Sequence, residues 1–96
     1  MSISQVLQSK RSQIIQIAAR HGAQNVRVFG SVVRGDAGPD SDIDFLVDME
    51  GGRSLLDLVK LRQDLEELLH RKVDVLTDGG LSPHLEQHIH AEAVPL

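Results

Sequence analysis

The sequence predicts an α/β fold, a small mixed β-sheet with helices packed on one face. Three observations carry that prediction. Apolar residues recur at helical spacing over residues 4–20 and 54–70. Between and after these segments lie short runs in which apolar and polar side chains alternate, the pattern of a strand with one face against a core. The breaks are rich in Gly, Pro, Asp and Ser, which make turns for separate steric and hydrogen-bonding reasons.

Val6, Leu7, Ile14, Ile15, Ile17 and Ala18 mark a first amphipathic helix, with Ser4 as its cap and Gly22 just past its end. Lys10, Arg11 and Arg20 form its solvated side. Residues 25–30 are the first strand, where Arg27 points to solvent or pairs with an acid on a neighbouring strand. Gly30 then frees the backbone to turn, and Ser31 caps a short helix running to about Arg34. Residues 42–48 form a second strand, closed by the Gly51-Gly52 break.

Ser54 caps the second long helix, which runs to about His70 with Leu55, Leu58, Val59, Leu61, Leu65, Leu68 and Leu69 inward. Ser54-x-x-Asp57 has the form of a capping box, and Arg53 with Asp57 and Arg62 with Glu66 are surface i,i+4 pairs. Arg71 to Thr77 is the third strand. Ser82-Pro83 opens a last surface helix anchored by Leu85 and Ile89, and Pro95 ends the chain. The sheet is therefore expected to hold three strands, with an extra edge possible, and parallel neighbours should connect by right-handed crossovers.

The chemistry lies between residues 29 and 48. Asp42 and Asp44 share one face of the second strand, while Ile43, Phe45 and Val47 share the other. Two carboxylates ~4 Å apart at an effective dielectric near 20 repel by roughly 4 kcal/mol, so a cation belongs between them. Oxygen ligands of this kind suit Mg²⁺ or Mn²⁺, with substrate phosphates completing the shell. Gly30 and Ser31 at a helix start, with Arg34 one turn on, are suited to hold those phosphates. Asp74 sits between Val73 and Val75 in the same apolar–acidic alternation. If the third strand lies beside the second, Asp74 joins Asp42 and Asp44 on one face.

Other acids and imidazoles are set aside. Asp36 and Asp40 lie in a loop, where aspartates serve turns and caps, and Asp48 keeps the phase of Asp42 and Asp44 but is too far along the strand to share their ion. His84 and His88 are spaced i,i+4, yet a zinc site there lacks a third ligand unless Glu92 reaches in.

Gly30-Ser31, ten intervening residues and Asp42-x-Asp44 resemble the G-S-x(10)-D-x-D signature of the polymerase-β-like nucleotidyltransferase superfamily. The fuller run, with Arg34-Gly35 and Ser41-Asp42-Ile43-Asp44, is similar to its smallest branch, the minimal nucleotidyltransferases or MNT domains. The resemblance implies a polymerase-β-like nucleotidyltransferase fold with residues 1–96 as a single MNT domain. It implies ATP as substrate, two Mg²⁺ ions on Asp42, Asp44 and Asp74, and Asp74 as the base toward an attacking hydroxyl. It also implies a partner, the HEPN-domain ribonuclease toxin of HEPN/MNT toxin–antitoxin pairs, modified by AMP on a tyrosine, with this chain as antitoxin in a hetero-oligomer. A non-catalytic antitoxin that neutralises by binding is the competing reading. A third, that the chain is itself the toxin nuclease, fails because no Arg is followed after four to six residues by His.

Composition sets the outer bounds. At 96 residues the chain is sized for one domain, and 41% hydrophobic against 25% charged residues is ordinary globular composition. A net charge of −4 argues against direct binding to a nucleic-acid backbone. With no cysteine there is neither disulfide nor thiolate chemistry, and with only Phe29 and Phe45 aromatic there is no stacking platform for bases. Neither a leader nor an apolar run of membrane length is evident, so the expected location is cytoplasmic.

Overall fold

A computed structural model describes residues 3–36, 38, 41–77 and 83–96, without the side chains of 3–4 and 83–87. Asp40 and Ser82 fall outside the described residues, as do the side chains of Ser4, His84 and Leu85. In chain order the elements are α1 (Ile3–Ser9), α2 (Arg11–Arg20), β1 (Ala23–Phe29), α3 (Ser31–Arg34), β2 (Ile43–Met49), α4 (Leu55–Leu69), β3 (Val73–Thr77), α5 (Pro83–Glu92) and β4 (Val94–Pro95). The strands form one mixed sheet in the order β3-β2-β1-β4. β2 runs antiparallel to β1 and parallel to β3, with α4 as the crossover.

The fourth strand is the extra edge that the sequence left open. Val94 and Pro95 pair with Val28 and Arg27, and the Leu96 N–H donates to the Val26 carbonyl at 3.1 Å. Pro95 thus sits on an edge strand, where its missing N–H costs no ladder bond.

The first helix differs from expectation, being two helices with a break at Lys10. At the break the Val6 carbonyl accepts twice, from the Ser9 hydroxyl at 2.9 Å and from the Lys10 N–H at 3.1 Å. At α3 the N-cap is Gly30, and Ser31 is the first helical residue instead of the cap. Ser54 caps α4 as expected, its N–H donating to the Asp57 carboxylate at 2.9 Å. That bond, first, and then the neighbouring Arg53 hold the Asp57 carboxyl below its ordinary pKa.

One cluster forms the core. Ile14 and Ala18 of α2 and Leu61, Leu65 and Leu69 of α4 meet Val28, Ile43, Phe45, Val47 and Val73 of the sheet. Phe45, Val47 and Leu61 are fully enclosed. The odd-numbered residues of β2 therefore face this core, and the even-numbered Asp44, Leu46 and Asp48 face the opposite side. His21 ties α2 to α4 through Asp64 at 2.7 Å. No helix among the described residues is long and apolar enough to cross a membrane.

Candidate active site

β2 begins directly after Asp42, and the parallel register with β3 sets Asp44 opposite Asp74. Side chains directly opposite on adjacent strands share a face. The condition on Asp74 is therefore met: β3 neighbours β2, and Asp74 stands beside Asp44 on the face away from the core. On the other flank, Phe29, the last residue of β1, pairs with Asp44. The Gly30 turn thus begins where the Asp44 carboxylate ends.

Gly30 has φ +82 and ψ −151, a conformation essentially restricted to glycine. A Cβ at this position would collide with the Asp44 carboxylate. Backbone and carboxylate approach so closely that only a residue without a side chain fits. The turn is closed by the Val33 and Arg34 N–H groups, which donate to the Gly30 carbonyl at 3.0 and 3.1 Å.

The approach to Asp42 is held from β3's side. Arg71 donates through Nη1 to the carbonyls of Gly38 (3.2 Å) and Ser41 (3.0 Å), and the Gly38 N–H donates to the Ser41 hydroxyl at 2.8 Å. The Ile43 N–H in turn donates to the Lys72 carbonyl at 3.0 Å. These contacts set the end of the motif loop against the start of β3, so Asp42 enters beside the other two acids.

The electrostatics are those of a carboxylate cluster short of positive charge. Burial pushes the Asp44 pKa up to about 6, and the charges of Asp74, Asp42 and Glu92 push in the same direction, while Arg34 opposes them. Arg34 is itself engaged, donating from Nη1 to Glu92 at 2.6 Å and from Nε to Asp36 at 3.4 Å. Glu92 above all raises the Arg34 pKa. Among the described residues no three His, Asp or Glu side chains close into a ready-made metal cage. The donor set nevertheless fits Mg²⁺, which characteristically takes one or two carboxylates and leaves other positions to phosphate and water. A half-buried Asp44 whose charged form is disfavoured would be relieved by such an ion.

Two residues of this region were not legible as part of it. Arg71 had no signal beyond a charge at the start of the expected third strand, which the structure begins two residues later, at Val73. Glu92 stood out only as a conditional third ligand for His84 and His88, whereas the structure turns it to Arg34, with His88 Nε2 at 3.7 Å. Asp48 is held by Arg27 at 2.9 Å and Asn25 at 3.0 Å, the cross-strand pairing that was one of two expectations for Arg27. A β-bulge between Gln24 and Arg27, with Asn25 at φ 53, accompanies that arrangement.

A mixed sheet whose parallel pair, central β2 and edge β3, carries registered acids beside a Gly-Ser turn defines a class, the small α/β domains with acids on the sheet face away from the core. Known proteins make it specific. A model of the nucleotidyltransferase domain matches residues 11–95, and the chain belongs to that family. Protein adenylyltransferase MntA of Thermococcus cleftensis is 39% identical over 79 residues, which is 82% of this chain and 80% of that protein. A solved structure, provisionally assigned as a minimal nucleotidyltransferase, matches with TM-score 0.89 at 47% identity, covering 100% of this chain and 97% of that one. A toxin–antitoxin crystal structure with AMP-PNP shares the fold with TM-score 0.76 at 24% identity, over 88% of this chain and 69% of that one. The sequence's resemblance to minimal nucleotidyltransferases is therefore borne out at the level of family and fold.

Proposed function

We propose that this chain transfers AMP from ATP to a hydroxyl, on a tyrosine of a HEPN ribonuclease toxin, and thereby acts as the antitoxin of that toxin. The observation that carries the reading is the set of Asp44 and Asp74 in register, with Asp42 leading into the same strand, at the mouth of the glycine turn. Support for the donor and acceptor comes from the relatives: the Thermococcus protein is named a protein adenylyltransferase, and the related fold occurs in toxin–antitoxin crystals, one with AMP-PNP and one of MntA with HepT.

In this reading Gly30, Ser31 and Arg34 receive the triphosphate, and Asp42, Asp44 and Asp74 hold Mg²⁺. The ion, when bound, supplies charge neutralisation at the phosphates. Asp74 accepts the proton of the acceptor hydroxyl, whose oxygen attacks the α-phosphorus in line. The bond from the α-phosphorus to the bridging oxygen breaks, and pyrophosphate leaves with Arg34 stabilising its charge. The products are the AMP-ester of the acceptor and pyrophosphate.

The test is to incubate the purified chain with Mg²⁺, labelled ATP and a HEPN-type toxin protein, and to weigh that protein. Addition of AMP, lost in Asp44→Ala, is the expected result. A tight complex with no added mass would overturn the enzymatic reading in favour of an antitoxin that works by binding alone.

A further inference from the structure

We infer that Glu92 is a positioning residue for Arg34, so that the end of the C-terminal helix sets the arginine that meets the nucleotide. The inference rests on the phosphate-binding reading of Arg34 given above, and adds a residue from outside the motif. Glu92 is the last residue of α5, with Ala93 alone between it and the β4 edge strand. Its neighbour Ala93 donates its N–H to the Ile89 carbonyl at 2.7 Å, and Ile89 is buried. The carboxylate is consequently fixed on both sides along the chain, by a helix turn anchored in apolar contacts and by the strand pairing of Val94 with Val28.

The exposures give the arrangement its direction. The Glu92 side chain is 14% exposed and that of Arg34 52%, with 2.6 Å between Oε1 and Nη1. The acid lies beneath, and the guanidinium is draped over it with much of its surface open. Arginine presents five N–H donors in a planar fork, and the bonds to Glu92 and Asp36 use only part of it. A phosphate can therefore reach Arg34 without evicting Glu92. Apart from its longer bond to Asp36 at 3.4 Å, an arginine on a helix of four residues keeps much rotor freedom, and fixing it before the ligand arrives reduces the entropy lost on binding.

Coulomb's law alone makes the opposite prediction. Glu92 is a negative charge close enough to raise Asp44's pKa, so its removal should favour a polyanion. The sign of the effect therefore separates the two. Binding of Mg²⁺ with the non-hydrolysable analogue AMP-PNP would be measured by calorimetry for the wild type, Glu92→Ala, Glu92→Gln, Arg34→Ala and the Arg34→Ala/Glu92→Ala double variant. Glu92→Ala should weaken binding roughly three- to tenfold, whereas Glu92→Gln, which keeps an acceptor for Nη1, should stay within about twofold of wild type. The double variant should bind no worse than Arg34→Ala. In turnover, Glu92→Ala should raise KM for ATP and also lower kcat, because Arg34 both receives the triphosphate and stabilises the leaving pyrophosphate, and Glu92→Gln should restore both.

Equal or tighter binding by Glu92→Ala would overturn the inference and leave Glu92 as a repelling charge. Additive losses in the double variant would overturn it as well, since Glu92 would then act without Arg34. If Arg34→Ala binds the analogue like wild type, the phosphate-binding role of Arg34 fails and the inference with it, a pattern distinct from both. Melting curves of Glu92→Gln and Glu92→Ala separate these outcomes from loss of fold.

Discussion

Asp44 and Asp48 stand on the same face of the same strand, about 13 Å apart along it, in opposite circumstances. Asp48 has a cation and a neutral donor of its own: Arg27 at 2.9 Å and the Asn25 amide at 3.0 Å. Asp44 has acids for neighbours, and burial then drives its pKa to about 6. Arg34, whose charge favours the ionised form of Asp44, is already bonded to Glu92 and Asp36. An acid that serves the fold comes with its counter-charge; Asp44, crowded by other acids, would in the proposed function be the seat of a cation brought from outside.

The largest expected effect breaks the two apart directly. Asp44→Ala should cut transfer by about 10³-fold or more, the scale of several kcal/mol that a metal-binding carboxylate carries in such chemistry. Asp48→Ala should leave kcat/KM within about threefold but lower stability by about 1–3 kcal/mol, because the mostly buried Arg27 loses its carboxylate. Steady-state transfer assays and urea melts on both variants read the two quantities. Equal losses of transfer would erase the distinction.

Gly30→Ala comes next, and sharpens the claim that Asp44 is held by backbone contact. Alanine at φ +82 and ψ −151 is strained by about 1–3 kcal/mol, and its methyl group meets the Asp44 carboxylate. A displaced carboxylate should lower transfer by about 10²-fold even in the folded fraction. Activity per folded molecule, from a denaturation-corrected assay, checks it; unchanged transfer would mean that Asp44's position is not set by the turn.

Much of this was legible in the chain, for a physical reason. Strand period decides which side chains share a face, so Asp42, Asp44 and the apolar Ile43, Phe45 and Val47 sorted themselves before any coordinates existed. Asp74 needed one further fact, strand adjacency, and the parallel register supplied it. Distant partners carry no period. Glu92 is 58 residues from Arg34 and Arg71 is 33 from Gly38, and neither pairing is encoded in local spacing. The edge strand was equally hidden, since Val94-Pro95 is too short to show alternation and is defined by the strand it pairs with. The helix break at Lys10 escaped because the apolar positions continue in phase across it.

The smallest predicted effects concern stability without nucleotide, and they test the missing counter-charge itself. Asp44's folded pKa of about 6 lies above its ordinary value of 3.8. Between those values the native state binds more protons than the unfolded chain, so stability falls as pH rises through this window. The penalty is absent below pH 3.8 and complete above about pH 6. Because the group is partly solvated, screening reduces it to about 1 kcal/mol. Asp44→Asn should abolish this component, read as the wild-type-minus-variant difference in unfolding free energy across the window, whereas Asp48→Asn should preserve it. Mg²⁺ at neutral pH should act on the same quantity, raising wild-type stability by about 1.4 kcal/mol at ten times its Kd. Asp48→Asn should keep that response and Asp44→Asn should lose most of it. If Asp44→Asn responds to Mg²⁺ as strongly as wild type, the ion does not rest on Asp44, and the contrast between the two aspartates would be one of burial alone.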